Sequence, residues 1–201
     1  MQYNLAVVMP TGGISFYLDR PGVGNVYGRF VGSDLPDDLQ STFALARDRE
    51  DTIIAGNSMG GFGALHTALA CPERFGCAIG PSSALVIHQV AERTPDGALG
   101  HPNVMADYAY YRETFGDPAG LLESENNPET LVKKRKAEGR ELPRLFMACG
   151  TEDFLLEQNR AFSRLLKDAG VPVTYVEDAG VHDWAFWNRM IEPAVRWALR
   201  I

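Results

Sequence analysis

The sequence predicts an α/β fold, a mostly parallel sheet with helices on both faces. Three observations predict it. Short apolar runs rich in β-branched residues alternate with longer stretches of helical periodicity. The runs close on Gly, Pro, Asn or Asp, which punctuate chains at turns. And 201 residues, 45% of them hydrophobic, suffice for one sizeable core. One domain over residues 1–201 is the expectation.

The elements follow in order. "NLAVVMP" (Asn4 to Pro10) is a continuous apolar run closed by Pro-Thr-Gly-Gly, the pattern of a buried strand and a loop. Thr11 to Gly32 is rich in Gly and aromatics without a period, and reads as a long loop over a functional face. Ser33-Asp34 opens a helix over residues 33–47. "DTIIAGN" is a second strand, and Met59 to Ala70 a helix ended by Cys71-Pro72. "FGCAIGPSS" is a third strand. Ala84 to Leu142 is irregular, an insert or lid-like segment. "RLFMACG" is a fourth strand, followed by an amphipathic helix, "LEQNRAFSRLLKDAG", with a glycine stop at Gly170. "VPVTYVEDAG" is the fifth strand and "WAFWNRMIEPAVRWAL" the last helix.

Composition excludes some partners. The net charge of -7 argues against nucleic acid and anionic membranes. The basic run Lys133-Lys134-Arg135-Lys136 is flanked by Glu129, Glu138 and Glu141 and reads as a solvated helix face. The N-terminal stretch has neither the basic flank of a signal peptide nor the length of a membrane span. Three cysteines, Cys71, Cys77 and Cys149, make an odd number without a CxxC, which fits a reducing, cytoplasmic setting better than a disulfide framework. No metal or cofactor is implied, and a homo-oligomer is left open.

Chemistry enters at "TIIAGNSMGGFGALHTALA". Gly56-Asn57-Ser58-Met59-Gly60 matches G-x-S-x-G between a predicted strand and a predicted helix, the context of a nucleophile elbow. Such a turn is tight enough to require small residues two before and two after the serine. It also aims the free N–H groups of the following helix at the serine. The motif lacks the lysine of a phosphate-binding P-loop. A serine hydroxyl is a weak nucleophile and needs a base, and the base needs an acid to orient it. Of four histidines, His66 falls inside the helix after the elbow, and His88 and His101 in the irregular segment. His182, in "DAGVHDWAFW", opens the last helix just after the fifth strand. Asp153 follows the fourth strand in "FMACGTEDF". Ser58, Asp153, His182 is the Ser…Asp…His chain order of a hydrolase triad. Glu152, Asp178 and Asp183 are the fallback acids. Phe16, Tyr17, Trp184 and the segment from Ala84 to Phe115 are candidates for the substrate pocket wall.

The segments "GNSMGGFGAL", "CGTEDFL" and "AGVHDWAFW", supported by "NLAVVMP" and the "SFY.D" pattern, resemble the esterase D and tributyrin-esterase group of α/β-hydrolases. That group includes S-formylglutathione hydrolases, feruloyl and acetyl esterases. The resemblance implies a serine ester hydrolase using Ser58, Asp153 and His182 on small acyl esters, with the Met59 N–H as one oxyanion donor. Acyl transfer or thioester hydrolysis on the same triad, and an inactive binding module, are the alternatives. In the group, further N-terminal strands precede the first one here. One of them lies between the counterparts of "NLAVVMP" and "DTIIAGN" and ends in a His-Gly motif that supplies a second oxyanion N–H. The resemblance therefore implies an N-terminally truncated α/β-hydrolase, with an open slot or non-standard pairing between residues 4–9 and 52–57.

Overall fold

The computed structural model describes residues 3–20, 22, 24–95 and 106–201. A short antiparallel ribbon, β1 (Asp19–Arg20) and β2 (Asn25–Val26), leads into α1 (Tyr27–Arg29). A π-helical turn (Phe30–Asp34) joins α1 to α2 (Leu35–Thr42). Then come β3 (Ile53–Ala55), α3 (Met59–Ala70), β4 (Cys77–Pro81) and α4 (Ile87–Ala91). α5 (Tyr108–Phe115), α6 (Pro118–Leu121) and α7 (Pro128–Ala137) follow. The chain ends in β5 (Arg144–Gly150), α8 (Leu156–Asp168), β6 (Val173–Asp178) and α9 (Trp184–Leu199).

The sheet has the order β3-β4-β5-β6, and every pairing in it is parallel. Alternation along its central strands sorts side chains onto two faces, as the pleat requires. Ala78, Leu145 and Met147 point into a core shared with α3, α7 and α8. Cys77, Ile79, Phe146 and Ala148 point the other way, against Phe186, Met190, Ala194 and Ala198 of α9. Helices thus cover both faces. α3 is buried from Gly61 to Leu69, which explains why its sequence is apolar all round rather than on one stripe.

Four sequence expectations need correction. Residues 4–10 form no strand, and Val7, Val8 and Met9 are exposed. A strand needs a neighbour to take its backbone hydrogen bonds, and among the described residues no strand pairs with this run. β3 is the edge of the sheet, and a cavity of about 1090 Å³ is lined by Asn4, Leu5, Ala6, Val8, Met9 and Pro10 together with Thr52–Gly56. That is the open slot expected at this place. The helix expected over residues 33–47 ends at Thr42, because Phe43 beyond it turns to extended backbone and finds no core to pack on. Where described, the segment 84–142 is no lid. Leu85, Ile87, Val90, Tyr111, Phe115, Leu121, Leu131 and Val132 are core residues, so α4 to α7 are part of the packed body. None of the described residues of the span 84–115 lines the cavity that reaches Ser58, although Leu85, Ile87, His88 and Gln89 line a second one of about 270 Å³; residues 96–105, with His101, lie outside the described residues.

Candidate active site

The elbow occupies the step from β3 to α3. A Cβ on Gly56 would sit 2.4 Å from the Gly60 carbonyl oxygen, so the turn closes only because residue 56 has no side chain. Gly60 is different: nothing lies within 4 Å of where its Cβ would be, so smallness two residues after the serine is not required here. Ser58 has φ 55° and ψ -120°, a backbone conformation costly for a residue with a side chain. Three hydrogen bonds hold it there. Its N–H donates to the Pro81 carbonyl (3.1 Å), and its carbonyl accepts from the N–H groups of Phe62 (3.0 Å) and Ala84 (2.9 Å). Met59 is the first residue of α3, so its N–H belongs to the turn that has no carbonyl four residues earlier within the helix.

The other two groups come from the ends of β5 and β6. Asp153 lies in the turn after β5 and is buried; His182 lies in the loop before α9. The two loops are zipped together: the Glu152 N–H donates to the Gly180 carbonyl, and the Thr151 N–H to that of Asp178. His182 Nδ1 is 2.9 Å from Asp153 Oδ2 and 3.1 Å from Oδ1, while Nε2 is 2.8 Å from Ser58 Oγ. A carboxylate can only accept, so Nδ1 carries the ring proton and Nε2 accepts from the Ser58 hydroxyl. Burial pushes the Asp153 carboxyl up. Hydrogen bonds from His182 and the Leu155 N–H outweigh it and hold the group below the usual carboxylate range. The serine, base and acid predicted from sequence are thus brought into one hydrogen-bonded chain.

The remaining acids are spent elsewhere. Asp183 caps α9 by accepting from the Phe186 N–H, Glu152 accepts from the Gly180 N–H, and Asp178 pairs with Arg189. Phe16 is not a pocket residue. It is 7% exposed and packs its ring on Phe62 and Phe115, because the loop carrying it folds down onto α3. Tyr17 does line the cavity, together with Asn57, Ser58 and Met59. Trp184 is exposed at the start of α9 and stacks edge-on to Trp187, which in turn meets the His182 ring; it does not line that cavity. His66 is buried with Nε2 on the Glu125 carbonyl, and His88 pairs with Glu129. The three cysteines are free. Burial raises their thiols, that of Cys149 to about 12, which disarms them as nucleophiles. Lys134 and Arg135 of the basic run pair with Glu125. Among the described residues, no helix is long and apolar enough to cross a membrane.

A parallel sheet that presents a serine elbow, a buried carboxylate and a histidine at successive strand ends defines an α/β-hydrolase of the serine type. The chain belongs to the esterase family described as "Putative esterase", whose profile matches residues 3–198. It is 42% identical over 201 residues to an acetyl esterase of Caldicellulosiruptor saccharolyticus, a match that covers 100% of this chain and 74% of that protein. Among solved structures it is similar to the fluorophosphonate-binding serine hydrolase F of Staphylococcus aureus, with a substrate bound. That match has a TM-score of 0.80 and 27% identity, and covers 94% of this chain and 69% of the other. An S-formylglutathione hydrolase from the same organism matches with a TM-score of 0.68 at 27% identity, covering 82% of this chain and 61% of the other. The protein is a serine hydrolase of small carboxylic esters.

Proposed function

We propose that Ser58, His182 and Asp153 are the catalytic triad of a short-chain carboxylesterase, with acetyl esters as the substrate class. The observation that carries this is the unbroken chain from Ser58 Oγ through both ring nitrogens of His182 to Asp153. Ser58 attacks the ester carbonyl as His182 Nε2 takes its proton. The Met59 N–H, at the positive end of α3, stabilises the oxyanion. His182 then returns the proton to the leaving alcohol, and water admitted by the same base releases the acid. Asp153 fixes the imidazole tautomer and stabilises the imidazolium. Tyr17, on the wall of the cavity that reaches Ser58, bounds the substrate. The acetyl preference rests on the 42% identity to the Caldicellulosiruptor acetyl esterase. Three free thiols, two of them buried, support a reducing, cytoplasmic setting.

The test is labelling and turnover together. A fluorophosphonate probe modifies the folded protein and leaves Ser58→Ala unmodified, and p-nitrophenyl acetate is hydrolysed faster than longer acyl esters. Asp153→Asn lowers kcat by about 10⁴-fold while leaving the fold intact, the loss expected when the base is held in the wrong tautomer. Equal labelling of Ser58→Ala would refute the assignment.

A further inference from the structure

Three exposed apolar side chains flank the acid and the base in the chain. Phe154 is 44% exposed, Val181 48% and Trp184 67%. Single exposed apolar residues are ordinary on a surface; these three accompany Asp153 and His182. Phe154 stands between two buried residues, Asp153 and Leu155, and the Leu155 N–H donates to Asp153 Oδ1 at 2.9 Å, so Phe154 is the member of this turn left facing outward. Its ring centroid is 4.7 Å from that of the His182 imidazole, tilted by 45°. Trp187 is a second aromatic neighbour of the imidazole, at 5.0 Å and edge-on (88°), and is fixed against the core between the sheet and α9. Trp184 meets Trp187 at 5.1 Å and 84° and carries the array out to solvent. None of Phe154, Val181, His182, Trp184 and Trp187 lines the large cavity. Ser58 is thus reached by the cavity through β3 and α3, and by the aromatic array through His182.

The reaction dictates which part of the ester meets these rings. When the tetrahedral intermediate collapses, the bond from the carbonyl carbon to the alcohol oxygen breaks, and that oxygen takes the proton from His182 Nε2. It must then stand within about 3 Å of Nε2. The carbons it carries lie one or two bonds further out, within reach of the rings that flank the imidazole. A two-carbon alcohol ends there. An aromatic alcohol extends over the array and takes apolar surface on both partners out of water. Rings set at 45° and near 90° to their neighbours offer both faces and edges, the contacts that a flat ring makes best.

We infer that Phe154 and Trp184, with Trp187 behind them, form the subsite for the leaving alcohol, and that the alcohol it takes is aromatic. The inference rests on the triad proposed above. It divides the ester between two surfaces: the carbonyl lies at Ser58 and the Met59 N–H, and the alcohol lies over the rings beside His182.

Benzyl acetate and ethyl acetate test it, being esters of one acid with primary alcohols that differ by the ring. In the wild type, kcat/KM for benzyl acetate exceeds that for ethyl acetate by about tenfold or more, the scale of one aromatic contact and the area it buries. Phe154→Ala and Trp184→Ala each lower that ratio several-fold, and Phe154→Tyr, which keeps the ring, retains it. A Phe154 that only props the imidazole gives a different result: Phe154→Ala slows both esters alike. An unchanged ratio in Phe154→Ala and Trp184→Ala overturns the inference, as does a wild type without the preference. Benzyl alcohol supplies a readout that needs no turnover. It shifts the indole N–H resonance of Trp184 in the wild type and in Ser58→Ala alike, and ethanol at the same concentration does not; absence of the shift overturns the subsite. If the shift is present and the wild type neither labels with fluorophosphonate nor hydrolyses either ester, the triad reading fails and the aromatic binding site stands; if labelling and turnover are present and the shift and the preference are not, only the subsite fails.

Discussion

The two outer glycines of the elbow are equivalent in the motif and not in the structure, which makes them a sharp test of the packing argument. In Gly56→Ala the new Cβ meets the backbone of Gly60, at 2.4 Å from its oxygen and 2.5 Å from its carbonyl carbon. Real Cβ atoms essentially never come closer than 3.0 Å, and 3.4 Å is ordinary contact. The first turn of α3 must therefore move by about 0.6 to 1.0 Å away from β3. Backbone cannot rotate aside as a side chain can, so the cost belongs to overpacking, about 1–3 kcal/mol. Ser58 lies between the two groups and moves with them. A misplacement near 1 Å in a positioned catalytic group costs roughly 100-fold in rate. In Gly60→Ala the methyl enters open space beside the cavity. Replacing a helical glycine gains stability, by up to about 1 kcal/mol. Urea unfolding and p-nitrophenyl acetate kinetics on both variants measure the difference. Gly56→Ala loses stability and about two orders of magnitude in kcat/KM; Gly60→Ala stays within a few-fold of wild type and unfolds no earlier. Equal damage from the two substitutions, or greater damage from Gly60→Ala, would refute the packing argument.

Two further outcomes follow from a buried imidazole and a helix cap. Burial holds the His66 imidazole below the ordinary histidine range, against the opposing Glu125 carbonyl bond and the Asp19 and Glu125 carboxylates, so it is neutral in the fold. The unfolded chain takes up that proton first, and the stability His66 contributes is complete above about pH 6.5 and is lost as pH falls below it. Urea midpoints between pH 8 and pH 5 therefore drop less steeply in His66→Asn than in wild type; parallel curves would show that His66 is not the group responsible. Asp183→Ala removes the cap on the Phe186 N–H and lowers stability by about 1 kcal/mol, a Tm fall of roughly 2–4 °C. Its kcat falls far less than that of Asp153→Asn, and a loss as large as that one would move the acid of the triad from residue 153 to residue 183.

Whatever is local was legible in the sequence. The alternation of strands and helices, the Cys71-Pro72 stop, β5 over residues 144–150 and α9 over residues 184–199 are where the pattern places them. So is the elbow, because strand, small-residue turn and helix are contiguous in the chain. The order Ser58, Asp153, His182 was readable because each residue follows a strand, and parallel strands bring their C-terminal ends to one edge of the sheet. Other features depend on what lies opposite a residue in space, and the linear pattern carries no record of that. The run at residues 4–10 is as apolar as a strand, but without a paired neighbour it is not one. Phe16 looked like a pocket residue until the loop folded it onto Phe62. Four acids stood near the ends of β5 and β6, and a hydrogen bond across two loops at Glu152, an ion pair at Asp178 and a helix cap at Asp183 gave three of them other tasks. Ser82 and Ser83 read as two more serines in "GPSS"; the φ of 45° at Ser82 belongs to a turn held at Ser83 by Asn159, 76 residues beyond Ser83 in the chain.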